Sequence, residues 1–284
     1  MKTSMNTVVF FGYGVLGLNC LRRLLEEDYN VKYIFTHKDK TEEAVDTFAE
    51  QKEIPFSYVD LRKGKEKYTQ YFTDLYFIIS VNYRYIIPNS IIKSITYPVN
   101  IHGSLLPKYR GRTPHVWAII HGQKVTGITA HIMDASVDTG KIIHQEEILI
   151  NSDDTGYTLL LKLQERYPDI LILSLQKIKS GVELIVQNDK EANYFGKRIP
   201  EMGYIDFFKY SDEIINFVRA QAEPYPGAYY YLQDGKKVII NQLQKTNIDD
   251  NLTKEIGTVV NRDDKYYVRA KDCTLELKNY RIVT

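Results

Sequence analysis

The sequence predicts an α/β protein, with a mostly parallel sheet flanked by helices on both faces and a small β-rich unit after it. Three observations carry this. Short apolar runs alternate with segments of helical spacing over residues 1–180. The run at 74–81 (DLYFIISV) is continuously apolar, as a strand buried on both faces requires. Beyond residue 205 the pattern changes to short strand-like runs divided by turn signals.

The elements follow in order. Residues 7–11 (TVVFF) read as a strand ending at Gly12. Over 15–27, Leu16, Cys20, Leu21, Leu24 and Leu25 fall on one side of a helix. A second strand covers 31–36 and a helix 42–52, before Ile54-Pro55. After the strand at 74–81, Pro88 opens a short helix to Ile95. Residues 97–102 (YPVNIH) form the next strand, and 114–121 return to helix. Apolar runs at 126–133 and 141–149 flank the turn signal Asp138-Thr139-Gly140, and 154–179 carry a long helical pattern. Residues 181–205 read as a linker containing Gly196 and Pro200, and 206–222 as a helix. Strands at 228–232, 236–243, 256–260, 265–270 and 273–277 then suggest a small barrel or sandwich. The domain boundaries expected are therefore 1–180, a linker at 181–205, and 206–284.

Composition narrows the function classes. The formal net charge is +1, so no global field favours nucleic acid or an anionic membrane. No run of 18 apolar residues predicts a transmembrane helix. The N-terminal apolar run ends at glycines and reads as a buried strand, not a signal peptide. Cys20 and Cys273 lack metal-like spacing and fit a reducing, cytoplasmic setting. The histidines at 37, 115, 121, 131 and 144 show no metal-ligand spacing either, so no metal is expected.

Gly12, Gly14 and Gly17 spell G-x-G-x-x-G between a strand and a helix. That fits a dinucleotide fingerprint, and it fits equally a tight βα turn with close helix–strand packing. The second strand ends Phe35-Thr36-His37, without the acidic residue that would hold a ribose.

The string NIHGSLLPKYRGRTP, residues 100–114, carries more chemistry. Asn100 and His102 are two apart on a strand and project to one face near its C-terminal end, where open α/β sheets bind ligands. A loop between two strands can return Asp138 to the same crevice. An amide, an imidazole and a carboxylate suit acyl transfer to an amine, which is its own nucleophile. The amide donates to the developing oxyanion. The imidazole takes the amine proton or helps hold the oxyanion. The carboxylate orients the imidazole and favours its charged form.

Together with GITAHIMDASVDTG (127–140), this string resembles the folate-dependent formyltransferase family, with its N-x-H-x-SLLP-x-x-RG motif and downstream D-x-G. The resemblance covers about residues 6–232. It implies a Rossmann-like N-terminal domain and an OB-like C-terminal one, N10-formyltetrahydrofolate as donor, and Asn100, His102 and Asp138 as the catalytic set. The family's similar GxG start does not bind NAD. The donor's pteridine would lie between the 77–88 segment and the loop before Asp138, with Ser80, Tyr83, Arg84 and Leu105 as its neighbours.

Three acceptors are compared. Purine-pathway members share the N-x-H start but lack the KYRG element. Methionyl-tRNA formyltransferases have the loop but must grip a polyanion. Here residues 206–284 hold 12 Lys and Arg against 12 Asp and Glu, a balance of zero. KYRGRTPHVWAII, SVNYRYI, FGKR and EPYPGA are similar to the branch acting on nucleotide-linked 3-amino or 4-amino sugars. The expected partner is therefore a nucleotide-linked amino sugar, with dTDP-4-amino-4,6-dideoxyglucose as best guess and surface polysaccharide as destination; tRNA is the alternative. Arg84 and Arg112, and less so Lys108, are candidate phosphate ligands. Tyr225, Tyr194 and Phe195 are candidates to stack on the base, or equally to pack the core. No membrane partner is expected. Relatives are often dimers, so a homodimer is compatible with the resemblance.

Overall fold

The computed structural model describes residues 5–246 and 255–283. They divide into two compact units, each assembled from several stretches of chain. The first comprises the chain up to Gly111, Gly127–Ile148 and Lys162–Tyr194; the second comprises Arg112–Thr126, Leu149–Leu161 and the chain from Phe195.

The elements run β1 (Thr7–Gly12), α1 (Gly14–Glu26), β2 (Asn30–Phe35), α2 (Val45–Gln51), β3 (Phe56–Ser57), β4 (Phe77–Val81), α3 (Asn89–Ile92) and β5 (Tyr97–His102). They continue with β6 (Arg110–Gly111), α4 (Pro114–Ile120), β7 (Val125–Ile132), β8 (Ile142–Leu149), α5 (Gly156–Lys179) and β9 (Tyr194–Phe195). A seven-stranded sheet of order β3-β2-β1-β4-β5-β7-β8 forms the first unit. Its pairs from β3 to β5 are parallel, and β7 joins β5 antiparallel.

The double-sided burial inferred from the apolar runs is visible strand by strand. Val8, Phe10, Phe77 and Ile79 enter one apolar layer with Leu18 and Leu21 of α1 and Leu163 and Leu171 of α5. Val9, Phe11 and Ile78 point the other way, into a layer with Leu61, Phe72 and Ile91. Period-2 side chains on a covered sheet demand this alternation.

Gly14 has φ of +63°, and a Cβ on Gly17 would stand 3.0 Å from the Gly12 carbonyl carbon. The glycines thus serve the turn and the close approach of α1 to β1. The fully buried carboxylate of Asp46 accepts the backbone N–H groups of Asp39, Lys40 and Thr47 and the Tyr58 hydroxyl, fixing the chain after β2.

The second unit holds α4, α6 (Ser211–Ala220) and a five-stranded antiparallel sheet. That sheet contains β10 (Ala228–Tyr231), β11 (Lys237–Lys245), β12 (Val259–Arg262), β13 (Lys265–Arg269) and β14 (Thr274–Val283), in the order β10-β11-β14-β13-β12. The mostly parallel sheet with helices and the separate antiparallel sheet are the architecture the sequence predicts. Details differ. The helix expected over 206–222 starts at Ser211, because Ile205 and Phe207 are buried in the core of this unit. Asp272 fixes the start by accepting both the N–H and the hydroxyl of Ser211, each at 2.7 Å. The helix expected from Pro88 to Ile95 is four residues long, and the strand expected over 273–277 runs on to Val283 against β11. Among the described residues no helix is long and apolar enough to cross a membrane.

Candidate active site

The site grows from register. In β5, Asn100 pairs laterally with Ser80 of β4 and with His131 of β7, and His102 pairs with Thr129. Asn100 Nδ2 lies 3.0 Å from His131 Nε2. His131 Nδ1 donates to the Ile132 carbonyl at 2.9 Å, so a neutral ring leaves Nε2 as the acceptor for the Asn100 amide. Among the described residues, the other amide N–H of Asn100 has no partner.

His102 is buried, and both of its ring nitrogens face oxygens. Nε2 is 2.9 Å from the Tyr109 carbonyl, and Nδ1 is 3.5 Å from Asp138 Oδ2. Only a doubly protonated ring donates to both. Asp138 Oδ1 lies 3.5 Å from His131 Nε2, and Oδ2 accepts the Gly111 N–H at 2.9 Å. Burial opposes the charge on Asp138, but the neighbouring His102 imidazole and the Gly111 N–H outweigh it. The carboxyl is held well below the usual carboxylate range. The structure therefore brings half-buried Asn100 and buried His102 and Asp138 into one cluster, with His131 between them.

The loop between β5 and β6 is pinned from below. Thr129 Oγ1 donates to the Ser104 carbonyl at 2.6 Å and accepts the Leu106 N–H at 3.1 Å. Gln145 Nε2 reaches both the Leu106 carbonyl and Thr129 Oγ1 at 2.8 Å. Ser104 Oγ donates to the Lys108 carbonyl at 2.6 Å. These bonds account for the compact SLLPK turn, and for how it presents the Tyr109 carbonyl to His102.

Residues 5–175 match the family described as formyl transferase, and residues 198–283 match the formyl transferase C-terminal domain. The chain belongs to the formyl transferase family. It is similar in fold to the N-formyltransferase from Helicobacter canadensis in complex with folinic acid and dTDP-3-aminofucose. There the identity is 19%, the match covers 96% of this chain and 99% of the other, and the TM-score is 0.73. A 4-N formyltransferase from Francisella tularensis matches at 24% identity, covering 83% and 96%, with TM-score 0.68. A methionyl-tRNA formyltransferase from Clostridium thermocellum matches at 19% identity, covering 87% and 96%, with TM-score 0.61.

The remaining predicted residues of this formyl transferase fall in two places. In the first unit, Ser80 is buried beside Asn100, and Leu105 packs against Gly127, where a Cβ would collide with it. Tyr83 stacks on His37, with ring centroids 4.9 Å apart, and its hydroxyl donates to the Val59 carbonyl at 3.2 Å. The Arg84 guanidinium lies 3.9 Å over the Tyr13 ring, and the Arg84 backbone N–H donates to His37 Nε2 at 3.0 Å. Lys108 is exposed, and Tyr194 donates its hydroxyl to the Val137 carbonyl at 3.2 Å. In the second unit, Arg112 is exposed and its N–H donates to the Phe195 carbonyl at 2.9 Å. Phe195 packs on Trp117 and His121 at 5.1 and 5.0 Å.

Tyr225, also in the second unit, has its hydroxyl 3.1 Å from His115 Nε2. Burial pushes the tyrosine up to about 12 and the His115 imidazole down to about 4. The unfolded chain therefore takes up the His115 proton first as pH falls. Stability contributed by neutral His115 is complete above about pH 6.5 and is lost as pH drops toward 4, by on the order of 2–3 kcal/mol. Urea unfolding at pH 7 and 4.5 checks this. His115→Gln should narrow the gap between the two midpoints, and an unchanged gap would refute the assignment.

The residue that sequence reasoning missed in the cluster is His131. It was weighed only as a metal ligand. Its signal lies in strand register: an antiparallel partner for 97–102 places it opposite Asn100.

Proposed function

We propose that this formyl transferase moves the formyl group of N10-formyltetrahydrofolate to the amine of a nucleotide-linked amino sugar, best dTDP-4-amino-4,6-dideoxyglucose, for surface polysaccharide. The observation that carries the chemistry is the cluster of buried His102, His131 and Asp138 with half-buried Asn100 at the carboxyl ends of β4 and β5. For the acceptor, the support is the zero charge balance of residues 206–284, which offers a polyanionic tRNA no basic field. Similarity of fold to sugar-acting enzymes supports the same acceptor.

The folate supplies an activated formyl carbon. Asn100 offers its uncommitted N–H to the formyl oxygen, where negative charge develops during attack. His102, held beside Asp138, gives a proton to the departing N10 and takes up the one that the amine releases, so the ring ends as it began. The new bond joins the sugar nitrogen to the formyl carbon; the bond from that carbon to N10 breaks. Ser80, Tyr83, Leu105 and the backbone of Arg84 are assigned to the pteridine. The Arg84 guanidinium and Lys108 are assigned to the diphosphate and Tyr194 to the base; Arg112, Phe195 and Tyr225 belong to the second unit.

The test is incubation of purified protein and donor with a panel of dTDP-, UDP- and GDP-linked 3-amino and 4-amino sugars and with methionyl-tRNA. Mass spectrometry should show a sugar nucleotide heavier by one formyl group. Formylation of none of the sugars defeats the reading, and formylation of tRNA alone replaces it.

A further inference from the structure

Residues 187–194 follow α5 and touch both loops that carry the site, within the first unit throughout. Gln187 is buried, and its carboxamide is fully used. Nε2 donates to the Asp138 carbonyl at 2.9 Å and to the Gly140 carbonyl at 2.7 Å. Oε1 accepts from Arg110 Nη2 at 2.7 Å and Nε at 3.1 Å. The Arg110 side chain, only 3% exposed, also reaches Asp189 Oδ1 at 2.8 Å and the Tyr194 hydroxyl at 3.4 Å. Asn193 completes the strap: its Oδ1 accepts the Tyr109 N–H at 2.5 Å, and its carbonyl accepts the Arg110 N–H at 3.0 Å.

The residues so held are those whose backbone most needs holding. Tyr109 and Asp138 both sit in the left-handed region, each with φ of 59°. Such non-glycine conformations are unfavourable and persist only where their surroundings over-determine them. Tyr109 gives its carbonyl to His102, and Asp138 gives its carboxylate to His102 and His131. On the far side a Cβ at Gly140 would collide with the Ile132 carbonyl, so the loop has no slack against β7.

We infer that Gln187 is a positioning residue of the formyl-transfer site: its amide locks the 138–140 backbone and so aims the Asp138 carboxylate at His102 and His131. The head group required is narrow. It must give two N–H groups to backbone carbonyls on one side and an acceptor to a buried guanidinium on the other. Glutamate keeps the acceptor and loses the donors. A lysine or arginine would bring a second cation against Arg110. Asparagine is one methylene short. This inference rests on the reading of the cluster as a formyl-transfer site, and one arm of its test is independent of that reading.

Gln187→Glu removes both donors and keeps the length; Gln187→Met, neutral and of similar volume, serves where the first variant does not fold by near-ultraviolet circular dichroism. With the sugar nucleotide that the wild type formylates, kcat is expected to fall roughly tenfold or more, as misplacement of a supporting group does, with KM changed less than about threefold. The independent arm follows the Asp138 carboxyl by carbon NMR from pH 7 to 3. His102, His131 and the buried Tyr167 are the titratable groups in its field. In the wild type the carboxyl stays ionised throughout; in the variant it protonates in the ordinary carboxylate range. A kcat within threefold of wild type overturns the inference. So does a lower kcat with an unmoved Asp138 titration, which marks a purely structural role. If the wild type formylates no sugar nucleotide, the functional reading fails while the titration still decides the role of Gln187.

Discussion

Replacing Asn100 with alanine is expected to lower kcat by about 10²–10³, the usual loss when one pre-aimed oxyanion donor is removed, with little change in KM. The size follows from where the amide sits. It is held between β4 and β7 by register, and one of its N–H groups is already spent on His131. The other meets charge only as the carbonyl carbon becomes tetrahedral, so the interaction belongs to the transition state rather than the bound substrate. Asn100→Asp keeps the volume and loses the donor, and should fare no better. His131→Leu tests the support: it frees the amide to rotate without removing it, so kcat should fall by roughly tenfold, and the double variant should be no worse than Asn100→Ala. Steady-state kinetics on the four proteins decide this. An Asn100→Ala enzyme within fivefold of wild type ends the assigned role.

The parts of the site that were legible in the sequence are local. Asn100 and His102 stand two apart on a single strand, so the strand period alone puts them on one face. Asp138 was legible because Asp-Thr-Gly interrupts two apolar runs. The double-sided burial of β4 was legible because 74–81 is apolar without alternation. His131 escaped because its meaning depends on pairing between β5 and β7, and no pattern within either strand specifies that register. Gln187 escaped for a different reason. It acts through hydrogen bonds to backbone carbonyls, which any sequence supplies, and it lies in a polar stretch that reads as connector. The start of α6 misled because Ile205 and Phe207 extend the apolar spacing into a segment that turns at Asp206–Lys209 before the helix begins. Asp272, which sets the true start, lies 61 residues away.

His102→Ala and Asp138→Asn should each reduce kcat by about 10²-fold, and the double variant should lose at most about tenfold more than the worse single one, because groups that act as one unit are not additive. The geometry makes them a unit. His102 has an acceptor at each nitrogen, and only the charged ring donates to both, so its second proton is held by Asp138. Asparagine at 138 keeps the shape but cannot stabilise that charge, and the ring falls back to a single donor, which the Tyr109 carbonyl takes. What is lost is the mobile proton, not the imidazole. The two singles should therefore resemble one another in kcat, while differing in acid stability. Wild-type Asp138, held below the usual carboxylate range, contributes stability above its unfolded value, and that stability is lost only as pH falls through its depressed folded value. Asp138→Asn removes that contribution at neutral pH. In His102→Ala the carboxyl loses its strongest stabilising neighbour and titrates higher, so unfolding on acidification begins at a higher pH than in wild type. Losses that multiply to about 10⁴ in the double variant would separate the two roles and leave His102 acting without the carboxylate.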